Sequence, residues 1–525
     1  LIGTDFSNNG PNSQADYGDH SGSYDADTTG DVNFNISGSI LDNLSNKIDA
    51  YAGGLVWGYS PDSSNSAKVT GNINLSVSQV GSANALDSHH FSIYGGGAAL
   101  LETNQSGSYD NPTGNADVTG NVSISISNVY SNDFQVAGGG IAEGPTATKT
   151  STATPSAKVS GQVKIDVKDS VLGGTEGGAE IFAAGEAVGA NADASVGSVS
   201  VTLTNVNQGI GINTIEEASN FIVGGGFAIG GGTSDVEGNV SITLKNSTAD
   251  FIMAAGTTQN DRDVGDAFEE GERHYGLSAS VGGDVNIRLE DSTVGTIIAS
   301  GNTDGSAWGD EGKFSPDDGQ YGEASVGGNA TITLAGNTAV GTVYLAGSGV
   351  NTDVAKNSTL EILGNSVSVD NVYGSAFNSQ VKGTAKISLG GDFEGTFDTA
   401  FEGIDELEAQ SGSKVTVALD NTKVGESLTL SGAGEFTTGI ELTSGDLTIK
   451  SNVTASSLNL SGDSNLIIDA NGVLGVTTDQ IFTNALGDAG TNKDAGQLNT
   501  NGNHLTTSGG TLAFNDALYN VFYAN

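Results

Sequence analysis

Carboxylates are the only abundant titratable groups of this 525-residue chain, which has 62 Asp and Glu residues against 18 Lys and Arg residues. Two carboxyl groups about 5 to 9 Å apart can hydrolyse a glycosidic bond. The candidate pairs are Asp317 with Asp318, Asp261 with Asp263, and Glu269 with Glu270. Because no fixed spacing relates these pairs to one another, we interpret them as solvated loop charge and predict no catalytic residue.

Basic and imidazole groups are scarce in the sequence. Arg262, Arg273 and His274 fall in one acidic stretch, where we interpret them as ion-pair partners that hold a loop rather than as lyase residues. His89 and His90 are the only adjacent histidines. Adjacent residues of a strand point to opposite faces, so we predict that these two do not share a metal ion.

Two other sequence segments match ligand-binding motifs only in part. Asp25, Asp27 and Asp31 resemble the start of a calcium loop, but the closing bidentate Glu is missing, so we assign no cofactor and leave structural calcium open. The Gly224–Gly226 run is followed by neither a helical pattern nor a Lys-Ser or Lys-Thr pair, which argues against a phosphate cradle. The absence of Cys excludes disulfides, thiolate metal sites and thiol nucleophiles.

Aromatic residues supply the candidate contacts for a sugar or a protein partner. We select Trp308 and Tyr321, which share one acidic stretch, and Trp57, which precedes a polar stretch. Other aromatic residues recur at the spacing of the repeat described below, and we predict that they line the core: Tyr94, Phe182, Phe221, Phe251, Tyr344 and Tyr373.

The net charge of −44 repels nucleic-acid phosphates and anionic lipids, so we predict no binding to either. Apolar runs are short and interrupted by glycine, which argues against a membrane-spanning segment. No signal segment opens the sequence, and we interpret the chain as mature or as a fragment. With 36% apolar and 15% charged residues, the chain is too apolar for a disordered coil if its apolar residues are patterned.

The apolar residues are patterned as a repeat of the form A-x-V-x-G-x-V-x-I-x-L. Clear copies occupy residues 67–77, 116–126 and 157–167. Further copies surround Gly30, Gly197, Gly238, Gly283, Gly328 and Gly383, with a degraded copy near Lys356. The apolar residues stand two, four and six places after the glycine, and this period of two predicts a strand with one buried face.

A second apolar and glycine-rich segment, the glycine-rich line, follows each copy, as in residues 93–97 and 136–140. We therefore predict two strands and a turn for each repeat. The anchor positions lie 27 to 49 residues apart. The shortest spacing is the size of one coil of a parallel β-helix, and the longer repeats must then carry loops. The extra length falls after the glycine-rich line, in residues 60–66, 102–115, 143–156, 259–277 and 302–323.

These patterns predict an all-β fold, a single elongated parallel β-helix (β-solenoid) of about a dozen coils with loops inserted along one edge. We divide the chain into an N-terminal cap or irregular segment (1–29), a loop-decorated β-helix (30–400), a regular loop-poor β-helix (401–475) and a C-terminal cap, linker or continuation (476–525).

The strands of the form A-x-V-x-G-N-V-x-I-x-L, the Asn-Ser turns and the Ser-, Thr-, Asn- and Gly-rich tail 411–474 resemble the β-helical passenger regions of bacterial autotransporters and related surface adhesins. The resemblance covers most of residues 30–474. It implies a solenoid exported to the cell surface, and it implies no particular activity because the binding and enzymatic parts differ among members.

We therefore predict a non-enzymatic extracellular protein of the bacterial cell surface that serves as an adhesive and structural rod. Its expected partners are glycans or proteins of a host or neighbouring cell. A filament or sheath subunit is one alternative, because uncapped solenoid ends expose strand edges that favour end-to-end stacking. A polysaccharide-cleaving β-helix enzyme is another.

Overall fold

A computed structural model describes residues 28–476, with gaps at 38–46, 59–63, 82–86, 102–112, 145–153, 174–177, 190, 209–219, 230, 260–277, 304–321, 350, 376–378 and 470–471, and also residues 2–3, 6–9, 24–25, 505–507 and 511–514. The chain forms two compact units. Unit 1 comprises Leu1–Ala330, Ala346–Lys356 and Ala376–Lys382, and unit 2 comprises Thr331–Leu345, Asn357–Ser375 and Gly383–Asn525. Both units are built of β-strands that pair in parallel, which confirms the all-β class.

The predicted repeat forms the first ladder of unit 1. Its strands are Val32–Ser37, Ile73–Val80, Val122–Ala137, Val159–Leu172, Val196–Gln208, Val240–Lys245 and Val285–Glu290. Equivalent positions of successive repeats pair in register, as Ile124 does with Ile165. Buried and partly exposed residues alternate along Val240–Lys245, as the period of two predicts. The large parallel sheets and this register are consistent with a β-solenoid.

The second ladder holds the predicted glycine-rich strands. It consists of Ile2–Gly3, Lys47–Tyr51, Asp87–Tyr94, the second half of Val122–Ala137, Ala179–Phe182, Asn220–Val223, Thr248–Met253 and Thr293–Ile298. Glycine follows these strands because the backbones of neighbouring repeats touch there. A Cβ added to Gly139 would lie 1.6 Å from the Ala184 carbonyl oxygen.

The glycines that follow the second-ladder strands, such as Gly138 and Gly139, form the glycine corner. A third ladder follows this corner, so the prediction of two strands per repeat was wrong for unit 1. Its strands are Phe6–Asn9, Leu55–Gly58, Ala98–Leu101, Ile141–Glu143, Gly185–Val188, Gly226–Ile229 and Thr257–Gln259. These strands have only three or four residues, several of them Ala or Gly, and therefore give almost no alternating signal.

A fourth ladder leads back to the start of each repeat. Its strands are Tyr24–Asp25, Ser64–Ser66, Thr113–Asn115 and Thr154–Ser156, and single bridges continue it through Asp193, Thr233, Ser278 and Glu323. Strands Thr28–Thr29 and Val69–Thr70 then begin a row of paired valines that includes Val326, Val354 and Val381. Val354 belongs to the degraded copy near Lys356, whose place in the repeat is thus confirmed.

The turn between the first and second ladders is held by Asn or Asp in a left-handed conformation. Asn205 and Asn246 have φ values of 54° and 46°. The Asn246 amide donates to Asn205 Oδ1 in the preceding repeat at 2.9 Å. The next residue, Ser247, donates its hydroxyl to the Lys245 carbonyl at 2.8 Å. Asn and Asp tolerate positive φ better than other residues apart from Gly, which explains the recurring Asn-Ser and Asp-Ser pairs.

A row of Asn and Asp side chains, the Asx row, precedes most strands of the first ladder, and Gln162 and Ser198 take this position in two of the repeats. The Asn and Asp oxygens accept a hydrogen bond from the equivalent backbone N–H of the next repeat, as Asn72 Oδ1 does from Asn121 N and Asn121 Oδ1 does from Gln162 N at 2.8 Å. The same bond joins Asn239 to Asp284 and Asp284 to Asn329.

We expect Asn121→Ala to lower the free energy of unfolding by about 0.5–1.5 kcal/mol, because the Gln162 N–H loses its protein acceptor. Urea unfolding followed by circular dichroism would measure this change. Asn121→Asp retains Oδ1 and is the matched control. An equal loss for both variants would show that the hydrogen bond is not the cause.

Unit 2 contains shorter repeats. Its described strands are Ala330–Ala335 from Thr331 onward, Ala339–Tyr344, Ser358–Leu363, Ser368–Tyr373, Ala385–Gly390, Glu394–Thr396, Ala400–Glu402, Glu406–Ala409, Lys414–Leu419, Ser427–Ser431, Glu435–Ile449, Asn452–Ile468, Val473–Val476, Leu505–Thr507 and Thr511–Phe514. Val415, Phe436, Val453 and Leu474 pair in sequence, 17 to 21 residues apart. The strands predicted between residues 415 and 468 are thus confirmed.

A helix at Asn421–Val424 interrupts unit 2, and the Asp420 carboxylate caps it by accepting from Lys423 N. Among the described residues, no helix is long and apolar enough to cross a membrane. The divisions predicted at residues 29, 400 and 475 stay predictions.

Candidate functional site

Most of the side chains predicted to contact ligands fall outside the described residues. These are Trp308, Tyr321, the three carboxylate pairs, Arg262, Arg273 and His274. The backbone of Trp57 lies in strand Leu55–Gly58 of the third ladder, where it pairs with Leu100. These assignments of partner contacts stay predictions.

The predicted metal-related residues have defined backbone positions. His89 and His90 are consecutive in strand Asp87–Tyr94. Asp31 belongs to the Asx row, where its Oδ1 accepts from both nitrogens of Asn72. In the part of the chain that the structure describes, no group of three His, Cys, Asp or Glu residues is placed to hold a metal ion.

The insertions leave and re-enter unit 1 at fixed positions, and we call this strip the insertion edge. They leave after the third ladder, where Leu100, Glu143, Val188 and Ile229 are in register. They return at the fourth ladder, where Ser156, Asp193, Thr233, Ser278 and Glu323 form successive bridges. The residues that flank the insertions are therefore aligned from repeat to repeat.

The length of chain between exit and return varies greatly along the insertion edge. Three residues, all glycine, connect Ile229 to Thr233. Residues 260–277 separate Gln259 from Ser278, although both ends are in register with the previous repeat. Insertion at this strip therefore leaves the ladders on both sides unchanged.

Carboxylates stand beside the return positions of the insertion edge. Asp117 accepts from Ser156 Oγ at 2.7 Å, and Asp235 accepts from Ser278 Oγ at 2.6 Å and from Ser280 N at 2.7 Å. Burial raises the pKa of Asp235, and the charges of Asp193 and Glu323 raise it further, against the effect of its two hydrogen bonds. Asp235 is thus a structural acceptor whose ionisation opposes folding.

We expect Asp235→Asn to stabilise the protein at neutral pH, because Asn can accept the same two hydrogen bonds without carrying a charge. The folded-state pKa of Asp235 lies above its unfolded value of 3.8. The protonated Asp235 carboxyl group therefore makes its full contribution to the free energy of unfolding below pH 3.8, and this contribution is lost as the pH rises through the folded-state pKa. The gain of the variant should grow over that window, as urea midpoints at successive pH values would show.

Asp117→Asn is the matched control for this pH dependence. Asp117 lies in the same row, but its neighbours in the adjacent repeats are Lys68 and Lys158, because Val69, Val118 and Val159 pair in register. Removing its charge should bring no gain at neutral pH. If both variants gained the same stability, the cause would be the lower net charge of the chain rather than the burial of Asp235.

Apolar and aromatic residues fill an outer corner between the outward faces of the second and third ladders. The corner contains Tyr51, Leu55, Tyr94, Ala98 and Ala137, with Leu100 and Ile141 partly buried against them. The rings of Tyr51 and Tyr94 are stacked, with centroids 4.9 Å apart. Because Tyr94 neighbours Ile93 in one strand, the two side chains occupy opposite faces, and both faces of the second ladder are covered.

Tyr94, Phe182, Phe221 and Phe251 are buried, as predicted for the recurring aromatic residues. The predicted inward position was wrong for Tyr94, which lies on the outward face of its strand in the outer corner. It was also wrong for Tyr344 and Tyr373, which are partly exposed in unit 2. Their rings stack with centroids 5.3 Å apart. Strand alternation places them on the outward face, since Val343 and Val372 are the buried neighbours.

A polar chain crosses the outer corner and was not anticipated from the sequence. Tyr94 Oη donates to Gln135 Oε1 at 3.3 Å, and Gln135 Nε2 donates to Glu186 Oε1 at 2.6 Å. Glu186 is 8% exposed. These contacts join the second ladder to the third and leave the corner packed, with a structural role. The sequence offered one signal of this corner. Ile181 and Phe182 are adjacent apolar residues of one strand, which indicates that both faces of the second ladder are buried.

Comparison of the sequence with protein-family models and with curated proteins, and of the structure with solved structures, found no match. The arrangement of the described residues therefore carries the functional argument.

Proposed function

We propose that each unit is a β-solenoid and that the protein is a non-enzymatic adhesin of the bacterial cell surface, acting outside the cell. The ladders supply a scaffold that needs no disulfide or metal, because each repeat is stabilised by its contacts with its neighbours. The insertion edge of unit 1 is the surface that meets the partner, a glycan or a protein of another cell.

The alignment of the insertions is the observation that carries this proposal. The largest differences in length between repeats fall at one strip, where the strands on both sides keep their register through connections of 3 and 18 residues. A shorter addition, residues 209–219, separates the first ladder from the second. Loops held by a rigid scaffold are where binding residues concentrate in proteins. Trp308 and Tyr321, in the inserted segment 304–321, remain our proposed partner contacts.

Replacing residues 260–277 with Gly-Gly-Gly tests the proposal, because this chain closes the same connection with three glycines between Ile229 and Thr233. We expect the urea midpoint to be preserved and adhesion to be reduced at least tenfold. The measurements are binding to a glycan array and to immobilised epithelial or bacterial cells.

The matched control inserts residues 260–277 in place of Gly230–Gly232 in the protein that lacks them at their own position. Recovery of binding would show that the insertion acts wherever the edge carries it. Binding unaffected by the combined loss of residues 102–112, 145–153, 260–277 and 304–321 would overturn the proposal that the insertion edge is the adhesive surface.

A further inference from the structure

Unit 2 carries a groove of about 520 Å³ that lies away from the features used above. One wall is formed by residues 365–370 and the other by residues 393–399, with Ile362 at the base. A cavity of this size is within the range that holds small ligands or short peptide segments.

The groove opens where two successive strands diverge. Leu363 pairs with Gly390, and pairing resumes only where Asn371 meets Ala400. Between these points the Glu394–Thr396 strand pairs instead with Lys414–Thr416 of the following repeat. Among the described residues this is its only strand partner, so its other edge faces the groove. Asn365 Oδ1 accepts from Glu394 N at 2.8 Å at one end of that edge.

The groove is also the open end of a row of core side chains. Gly395 pairs with Val415, and Val415 with Phe436, both of which are buried. Gly395 itself is exposed, and a Cβ added there would meet no atom within 4 Å. A side chain at this position can therefore enter the groove without displacing the backbone.

Charge and ring exposure indicate what the groove accepts. Asp370, Glu394 and Asp398 are exposed along it, and its lining contains no Lys or Arg. Lys414 contacts Glu394 from outside the lining at 3.4 Å. Phe393 and Phe397 are only 5% and 4% exposed, so neither offers a ring face on which a sugar can stack. A strand edge with acidic side chains fits a basic extended peptide better than a saccharide.

We propose that this groove binds an extended peptide segment carrying Lys or Arg, which adds as a strand to the groove-facing edge of Glu394–Thr396, beyond the Glu394 N–H that Asn365 already binds. Backbone hydrogen bonds to that edge supply the general affinity, and pairing of the basic side chains with Asp370 and Asp398 supplies the preference for cationic sequences. This binding site lies in unit 2 and does not depend on the proposed function of the insertion edge.

The test measures fluorescence anisotropy of a labelled Lys-Val-Lys-Val-Lys-Val peptide with the full-length protein at physiological salt. We expect Gly395→Leu to weaken binding at least tenfold by filling the groove, with an unchanged thermal midpoint. The double variant Asp370→Asn with Asp398→Asn should weaken binding at least fivefold and reduce its salt dependence. If Gly395→Leu does not fold, this charge variant alone still tests the site.

Three controls separate the proposal from its competitors. The double variant Glu435→Gln with Glu441→Gln removes two exposed charges of unit 2 outside the groove, and a loss equal to that of the Asp370 and Asp398 variant would mean non-specific attraction to the acidic chain. Retention of affinity by a peptide with N-methylated backbone amides would overturn strand addition. No peptide binding at millimolar concentration, or binding of a neutral hexasaccharide that Gly395→Leu abolishes, would overturn the peptide assignment.

Discussion

Replacing Gly139 with Ala is expected to lower the free energy of unfolding by about 3 kcal/mol or more. The added Cβ would lie 1.6 Å from the Ala184 carbonyl oxygen and 2.6 Å from Val196 Cγ1. The carbonyl belongs to the backbone of the next repeat, where the Ala184 N–H already bonds to the Gly225 carbonyl at 2.7 Å. Relief of the clash therefore requires separation of two successive repeats at this point. Urea unfolding and hydrogen exchange of the amides near residues 139 and 184 would measure the effect.

Gly395→Ala is the matched control, because the same methyl group at that position meets no atom within 4 Å. This substitution should be neutral or stabilise the protein by up to about 1 kcal/mol, since Ala restricts the unfolded chain more than Gly does. Equal midpoints for the two variants would contradict the close approach of the backbones at the glycine corner.

Truncating Phe134 to Ala is expected to cost about 3–5 kcal/mol, the range for removal of a buried phenyl ring. Phe134 is fully buried in the second ladder, and its ring is stacked on that of Phe91 in the preceding repeat, with centroids 5.6 Å apart. The cavity cannot close easily, because the backbones on both sides are fixed by ladder hydrogen bonds. Chemical unfolding of the purified variant would give the cost.

A double-mutant cycle with Phe91→Ala distinguishes the ring contact from general burial. We expect a coupling energy of about 0.5–1.5 kcal/mol between the two rings. Additive losses from the two single variants would contradict a direct interaction. Hydrogen exchange in strand Val285–Glu290 should be little changed, because each repeat contacts only its neighbours.

The first ladder could be predicted from the sequence because its signal is local. Val240, Ile242 and Leu244 alternate with polar residues, so one strand reveals its own buried face. The degraded copy near Lys356 was placed correctly because the spacing of the repeat continued through it. The register between first-ladder strands of successive repeats could also be predicted, since a shift by one residue would expose every apolar side chain.

The third ladder and the outer corner could not be recognised in this way. Strands such as Ala98–Leu101 are too short to show a period, and the outward burial of Tyr94 depends on a neighbouring sheet. The unit 2 groove depends on which repeat pairs with Glu394–Thr396, a choice that no local pattern specifies. The candidate contacts Trp308 and Tyr321 lie outside the described residues, so their role stays a prediction.

Because successive repeats pair in register along the valine row and the Asx row, the protein can gain or lose whole repeats. Residues 122–162 begin and end at equivalent positions, since Val122 pairs with Val163 and Ile73 pairs with Val122. Excising that segment would place Leu75 beside Ile165, a junction of the same chemical kind as the two it replaces. Excision of one whole repeat thus preserves the pairing on both sides of the junction, whereas deletion of an odd number of residues within a strand would turn its buried side chains outward.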